Sequence, residues 1–159
     1  EVLFEAIHTG HSVYATVHAN DTRETITRLT NPPIDIPKTM LPSISMIVVQ
    51  YRNRRTGMRR TFQISEILPN SEANVLMQLD LKTGKLNKIA KSKALMSTIE
   101  VFTGLSNSQL NSSLKEKEAV LKWLVKQKID SIDGVGKVMG EYYTDKDNIM
   151  NLVRKNKGI

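Results

Sequence analysis

The hydrophobic pattern of this chain changes character near residue 92, and that change limits what it can fold into. Before it, helical stretches mix with apolar residues that alternate or run in short β-branched blocks broken by turn residues; after it the spacing is helical to the end. The pattern predicts an α/β portion with antiparallel hairpins over residues 1–91 and a helical region over 92–159. The 159 residues, 40% hydrophobic and 25% charged, exclude collagen-like, low-complexity and wholly disordered chains. No window approaches the roughly 18 uncharged apolar residues of a membrane-crossing helix. Cys is absent, which removes disulfides, thiolate metal sites and cysteine nucleophiles together. The opening Glu1-Val2-Leu3-Phe4 has no Met and no signal-peptide layout, so a piece of something longer is expected.

The net charge of +7 is unevenly placed. Residues 1–80 hold eight Lys/Arg and eight Asp/Glu, whereas residues 81–159 hold fifteen against eight, fourteen of them Lys. A scattered Lys surface is ordinarily a solvated one; the other reading is a basic face for an acidic partner or an anionic membrane surface.

Val2, Leu3, Ala6 and Ile7 fall at helical spacing and Gly10 stands where a left-handed stop belongs. Ser12–His18 alternates as a buried strand. Asn20 or Asp21 caps a helix ended by Asn31-Pro32-Pro33, with Asp21 and Glu24 at capping-box spacing. A short helix over Pro37–Leu41 precedes a strand over Ser45–Tyr51, whose run Met46 to Val49 suggests burial on both faces. Thr56-Gly57 turns into Arg59–Leu68, and Asn74–Leu81 pairs with Lys85–Ile89. Helices are predicted over Ala94–Thr103, Leu110–Ile129, Val135–Tyr143 and Asp147–Lys155. The longest is amphipathic through Leu110, Leu114, Leu121, Trp123, Leu124 and Val125.

The most informative stretch runs from Thr9 to Asn20, TGHSVYATVHAN. It reads as helix, glycine turn, strand, and a polar cluster at the strand's carboxyl end, where open α/β sheets place ligands. There His18 projects beside Thr16, and the next helix offers free backbone N–H groups. A neutral His donates a hydrogen bond to a phosphate oxygen and adds charge when protonated. A structural, hydrogen-bonded His is the alternative. Zinc on His8, His11 and His18 is disfavoured by the glycine between the helix and the strand and by the lack of a carboxylate cluster.

Thr-Gly-His, then a β run ending Thr-Val-His-Ala-Asn, then a helix ending Thr-Arg-Leu, resembles the histidine box of the type II/type IV secretion ATPases. Leu3-Phe4-Glu5-Ala6 resembles the helix after that family's Walker B glycine. Asn31-Pro32-Pro33-Ile34-Asp35-Ile36-Pro37 resembles the linker of archaeal members, and Ile47-Val48-Val49-Gln50 with its arginine-rich turn, Val120–Leu124 and Glu141–Asp145 match as well. The resemblance implies the C-terminal part of a RecA-like P-loop ATPase domain, acting as a homo-hexamer on an integral membrane platform protein. It also implies a cytoplasmic place at the inner face of the membrane, with ATP and Mg²⁺ as cofactors. In this reading His18 approaches the γ-phosphate, His11 braces the turn, and Thr16, Asn20 and Arg28 are supporting nucleotide-site residues, Arg28 equally suited to an ion pair. No resident metal site and no nucleic acid are expected.

The string G-x-x-x-x-G-K-[ST] is missing from the sequence, so the phosphate cradle and its Lys are too. An alternative function comes from residues 132–140, IDGVGKVMG, which resemble a helix-hairpin-helix and with the Lys-rich second half would bind nucleic acid. The turn Arg52–Arg60 is a denser basic cluster, either a solvated tip or a contact for a neighbouring subunit, an acidic loop of the membrane partner or, as the least favoured option, nucleic acid. This polypeptide alone is expected not to hydrolyse ATP; multiple turnovers in a malachite-green phosphate assay would contradict that.

Overall fold

A computed structural model describes residues 2–158, which form two compact units divided between Phe102 and Thr103. The first is mixed α/β. Helix α1 (Val2–His8) ends as expected at Gly10, whose φ of +86° suits a residue without Cβ. The His11 N–H returns to the Ala6 carbonyl and the Gly10 N–H to that of Ile7, closing the helix with both bonds of a Schellman motif. Helix α2 (Thr22–Thr30) is capped by Asp21, and a 3₁₀ helix (Lys38–Ser43) leads into the sheet.

The sheet is an antiparallel meander of β1 (Ile47–Arg52), β2 (Arg59–Ile67), β3 (Ala73–Leu79) and β4 (Leu86–Lys88), in that order. Bulges interrupt the ladder at Val49/Gln50 and at Ile64/Ser65. The β1–β2 and β3–β4 turns share one design. Asn53 Oδ1 accepts the N–H groups of Arg55 and Thr56, and Asp80 Oδ1 those of Lys82 and Thr83. Gly57 and Gly84 then take positive φ and return their N–H groups to the Asn53 and Asp80 carbonyls. In a meander both turns lie at the same end of the sheet.

Two expectations fail here. Residues 12–18 form no strand and pair with nothing: none of their backbone groups has a hydrogen-bond partner among the described residues, and Tyr14 is 98% exposed. Alternation and β-branching suit a pleated ladder, but the ladder needs a neighbour and the sheet here offers none. Strand β1 is also buried on one face only. Ile47 and Val49 join the core while Met46 and Val48 are exposed, because the packed α1, α2 and 3₁₀ helix supply apolar contacts to one side.

That core gathers Phe4, Leu29, Ile36, Leu41, Ile47, Val49 and Ile67. Two polar anchors of β2 accompany it. Thr22 at the start of α2 bonds Ser65 (2.7 Å) and donates its N–H and hydroxyl to Gln63 Oε1. Glu66, fully buried, accepts the N–H groups of Lys93 and Leu95 and bonds from Asn74 and Ser92, so its carboxylate caps the start of α3 (Leu95–Thr103). Burial pushes this carboxyl up, but the donors outweigh it and hold it at about 2.

The second unit holds α4 (Asn107–Lys126), α5 (Ile132–Thr144) and α6 (Lys146–Lys155) around Val120, Trp123, Leu124, Val138, Tyr142 and Ile149. The expected α4 stripe is corrected. Leu110, Trp123 and Leu124 are buried, but Leu114, Leu121 and Val125 are exposed, because α5 and α6 pack the face that carries Val120 and Leu124. Trp123 Nε1 donates to the Lys157 carbonyl just beyond α6, and Tyr142 donates to Glu116 at 2.6 Å. Burial, with Glu116 beside it, pushes the Tyr142 hydroxyl up to about 12.

Since the folded pKa of Glu66 is depressed, its contribution is complete above the ordinary 4.5 and is lost as pH falls toward about 2. Across that window the first unit should lose about 3 kcal/mol, and Glu66→Gln should cost about 2–3 kcal/mol at neutral pH. Denaturation followed by amide exchange in β2 and α3 checks this; Trp123 fluorescence reports only the helical unit.

Candidate functional site

The residues of the TGHSVYATVHAN stretch are distributed unevenly between supported and unsupported positions. His11 sits just beyond the closed end of α1, with Nδ1 3.1 Å from Thr9 Oγ1; Thr9 in turn donates to the Glu5 and Ala6 carbonyls. His8 is tied by Nε2 to Ser43 Oγ (2.9 Å), linking α1 to the 3₁₀ helix. Thr16 and His18 are exposed on the irregular segment and have no hydrogen-bond partner among the described residues. Among the described residues no three His, Asp or Glu side chains gather as a metal site.

Asn20 and Arg28 are brought together by Glu24. Its Oε2 accepts the Asn20 backbone N–H and side-chain amide, both at 2.8 Å, and its Oε1 accepts Arg28 Nε and Nη2 at 2.8 and 2.6 Å. The backbone N–H of Asn20 first, then Arg28 and the Asn20 amide, hold the Glu24 carboxyl below its usual range. Arg28 is therefore committed to an ion pair within α2. Glu24 had entered the sequence reading only through capping-box spacing. It does reach back, but to Asn20, one residue before the Asp21 cap.

Free donors at the start of α2 are expected beside His18; the structure occupies two of them and leaves the Arg23 N–H without a partner among the described residues. The Thr22 N–H is donated to Gln63 and the Glu24 N–H to Asp21 Oδ1, because the helix start is anchored to the sheet and self-capped. The residues present here thus do not build a nucleotide cradle: no P-loop string stands in the sequence, and these α2 amides are spent. What they offer is an exposed imidazole on an irregular segment whose two ends are held, by the α1 cap and by the Asn20–Glu24–Arg28 cluster.

Asn20 and Asp21 also form a wall of a groove of about 950 Å³. Its other walls are Gln50, Tyr51, Arg52 and Arg54 from β1 and its turn, with Phe62 and Leu81. The rings of Tyr51 and Phe62 lie 6.0 Å apart, tilted by 37°. The sequence marked the arginine-rich turn as a basic cluster, but its meeting with Asn20 depends on the meander and on how α2 is anchored.

Residues 1–58 match the family model described as Type II/IV secretion system protein. That match supports the superfamily indicated by the histidine-box string. The chain is also similar to uncharacterized proteins of Methanocaldococcus jannaschii. With one it is 30% identical over 146 residues, 87% of this chain and 20% of that protein. A second is 30% identical over 145 residues, covering 87% of this chain and 54% of the relative. A third is 37% identical over 68 residues, 42% of this chain and 12% of the relative. The chain therefore spans between about an eighth and about half of these relatives' length. Among the described residues no helix is long and apolar enough to cross a membrane.

The geometry assigns Glu24 the holding of Asn20. Glu24→Ala should leave α2 capped by Asp21 yet let the Asn20 amide exchange as freely as those of residues 12–18. Hydrogen exchange resolved by NMR checks this, and an Asn20 amide still protected in the variant would contradict it.

Proposed function

We propose that this chain is the C-terminal part of the motor domain of a secretion or pilus-assembly ATPase of archaeal type, and that it supplies the histidine box. The match of residues 1–58 to the secretion family carries the reading. Two observations support it further. Residues 12–18 have the sequence of a buried strand and no partner strand among the described residues, as expected if they belong to the RecA-like sheet of a longer protein. The relatives it resembles are longer than it is.

In this reading the nucleotide and Mg²⁺ are held by protein outside these residues, and His18, at the carboxyl end of the strand, faces the terminal phosphate. His11 fixes where the strand begins. Glu24, through Asn20, fixes where it ends, and Thr16 lies between. A neutral imidazole can donate one hydrogen bond to a phosphate oxygen, and protonation adds a charge that such an oxygen attracts. The whole protein would be a homo-hexamer at the inner face of the membrane, turning occupancy of the nucleotide site into domain rotation against an integral membrane platform protein.

A nucleic-acid role for residues 132–140 draws less support. Gly134 and Gly136 lie inside α5, and the Gly134 N–H is donated to Ser131 Oγ. A Cβ on Gly134 would meet Ile129 Cγ2 and Ser131 Oγ at 2.9 Å, so packing accounts for that glycine.

His18→Ala in the intact ATPase should lower turnover about 10²-fold or more, the scale of one directed contact worth roughly 2.7–4 kcal/mol. His11→Ala should act more weakly, through placement of the strand. Steady-state kinetics checks both; unchanged turnover in His18→Ala would leave that residue a structural one.

A further inference from the structure

We infer that the groove between Asn20 and the two matching hairpin turns is a docking site for an acidic, extended segment of a partner protein. The turns occupy one end of the sheet and present equivalent residues to the groove. Arg54 follows the turn-forming Asn53, and Leu81 follows the turn-forming Asp80. The first turn and its flanks carry Arg52, Arg54, Arg55, Arg59 and Arg60; the second carries Lys82 and Lys85. None of these seven cations forms an ion pair among the described residues.

The carboxylates nearby are committed. Asp80 accepts from Thr83 and from the Lys82 and Thr83 N–H groups, and those bonds hold its carboxyl below the usual range. Asp21 caps α2. One end of the first unit is thus strongly cationic, its seven cations outnumbering the charges of Asp21 and Asp80, although residues 1–80 as a whole are balanced.

Three features select a protein segment among anionic partners. The cations on the groove itself are arginines, whose planar fork matches a carboxylate with two parallel bonds. Its floor is half-buried Tyr51 and Phe62, packed against each other, with Leu81 63% exposed at the rim, which suits apolar side chains between acidic ones. Finally, β1 is an outer strand, and three consecutive β1 residues, Gln50 to Arg52, line the groove. The outward row of β1 backbone groups has no partner among the described residues, and only a polypeptide can extend the sheet along it. A flat membrane surface does not enter a concave groove, and a nucleic acid cannot pair with a strand edge. Because Asn20 is a wall of the groove, a docked segment would touch the end of the histidine-box segment directly.

The test uses the full 159-residue chain and a fluorescein-labelled peptide of glutamate interspersed with leucine, followed by anisotropy. Its glutamine counterpart, an oligouridylate and phosphatidylglycerol vesicles serve as competing probes. The glutamate peptide should bind, more weakly as salt rises, and the Arg52→Glu/Arg54→Glu variant should weaken it about tenfold or more. An equal charge change on the helical unit, Lys115→Glu/Lys137→Glu, should leave binding within about twofold. Arg52→Gln/Arg54→Gln provides the same test should the reversed charges impair folding, as judged by circular dichroism. Binding of the glutamine peptide as tight as that of the glutamate peptide overturns the proposal, as does no binding at all. Arg52/Arg54-dependent binding of oligouridylate or vesicles in preference to the glutamate peptide also overturns it. None of these measurements involves ATP turnover, so the outcome is independent of the motor reading.

Discussion

Strand β2 organises the first unit by placing polar groups where a strand ordinarily places apolar ones. Adjacent residues of a strand point to opposite faces, and Ser65 and Glu66 are both fully buried. On one side Ser65, with Gln63, holds the first residue of α2; on the other Glu66 collects the first amides of α3. Glu66 and Gln63 accept N–H groups that a helix start would otherwise leave unpaired, while Ser65 shares a hydrogen bond with the Thr22 hydroxyl, so polar burial and helix capping are solved by neighbouring contacts. No buried side-chain polar atom among the described residues is left without a partner.

The placement of α2 decides the chemistry available at its start. Once Thr22 is bound to the sheet, Asp21 caps the helix and Glu24 turns back to Asn20, so the Thr22 and Glu24 amides, which might have received an anion, are used internally. The remaining polar groups of the preceding segment, Thr16 and His18, stay exposed. The same anchoring brings Asn20 against the arginine-bearing end of the sheet, where local repulsion among cations is relieved only by solvent or by a partner.

Much of this was legible in the sequence because local rules fixed it. Gly10 ended α1, Asp21 capped α2, Asn31-Pro32-Pro33 ended it, and the Thr-Gly pairs at 56–57 and 83–84 made the hairpin turns. Helices α3 to α6 followed the 3.6-residue period. What the sequence did not reveal depends on partners distant along the chain. Glu66 reads as an ordinary charged residue on a strand until residues 92–95 fold over it, a separation no short-range pattern encodes. Ser12–His18 shows the converse: strand propensity without a neighbouring strand leaves a segment with no ladder. Leu121 and Val125 share the helical period of Trp123 but not its face. In the candidate site, His18 and Asn20 were readable as a motif, whereas the groove beside Asn20 required the meander and the anchored helix together.

The account rests on residues 12–18 being a strand whose neighbours lie outside this chain. Amide hydrogen exchange of that segment tests this most directly, measured in the 159-residue chain and in the longer parent protein under the same conditions. The account expects rapid exchange in the isolated chain and strong protection in the parent, confined to alternate or successive amides of a ladder. Equally rapid exchange in both would contradict it, since the segment would then be a loop and His18 would have no sheet edge from which to face a phosphate.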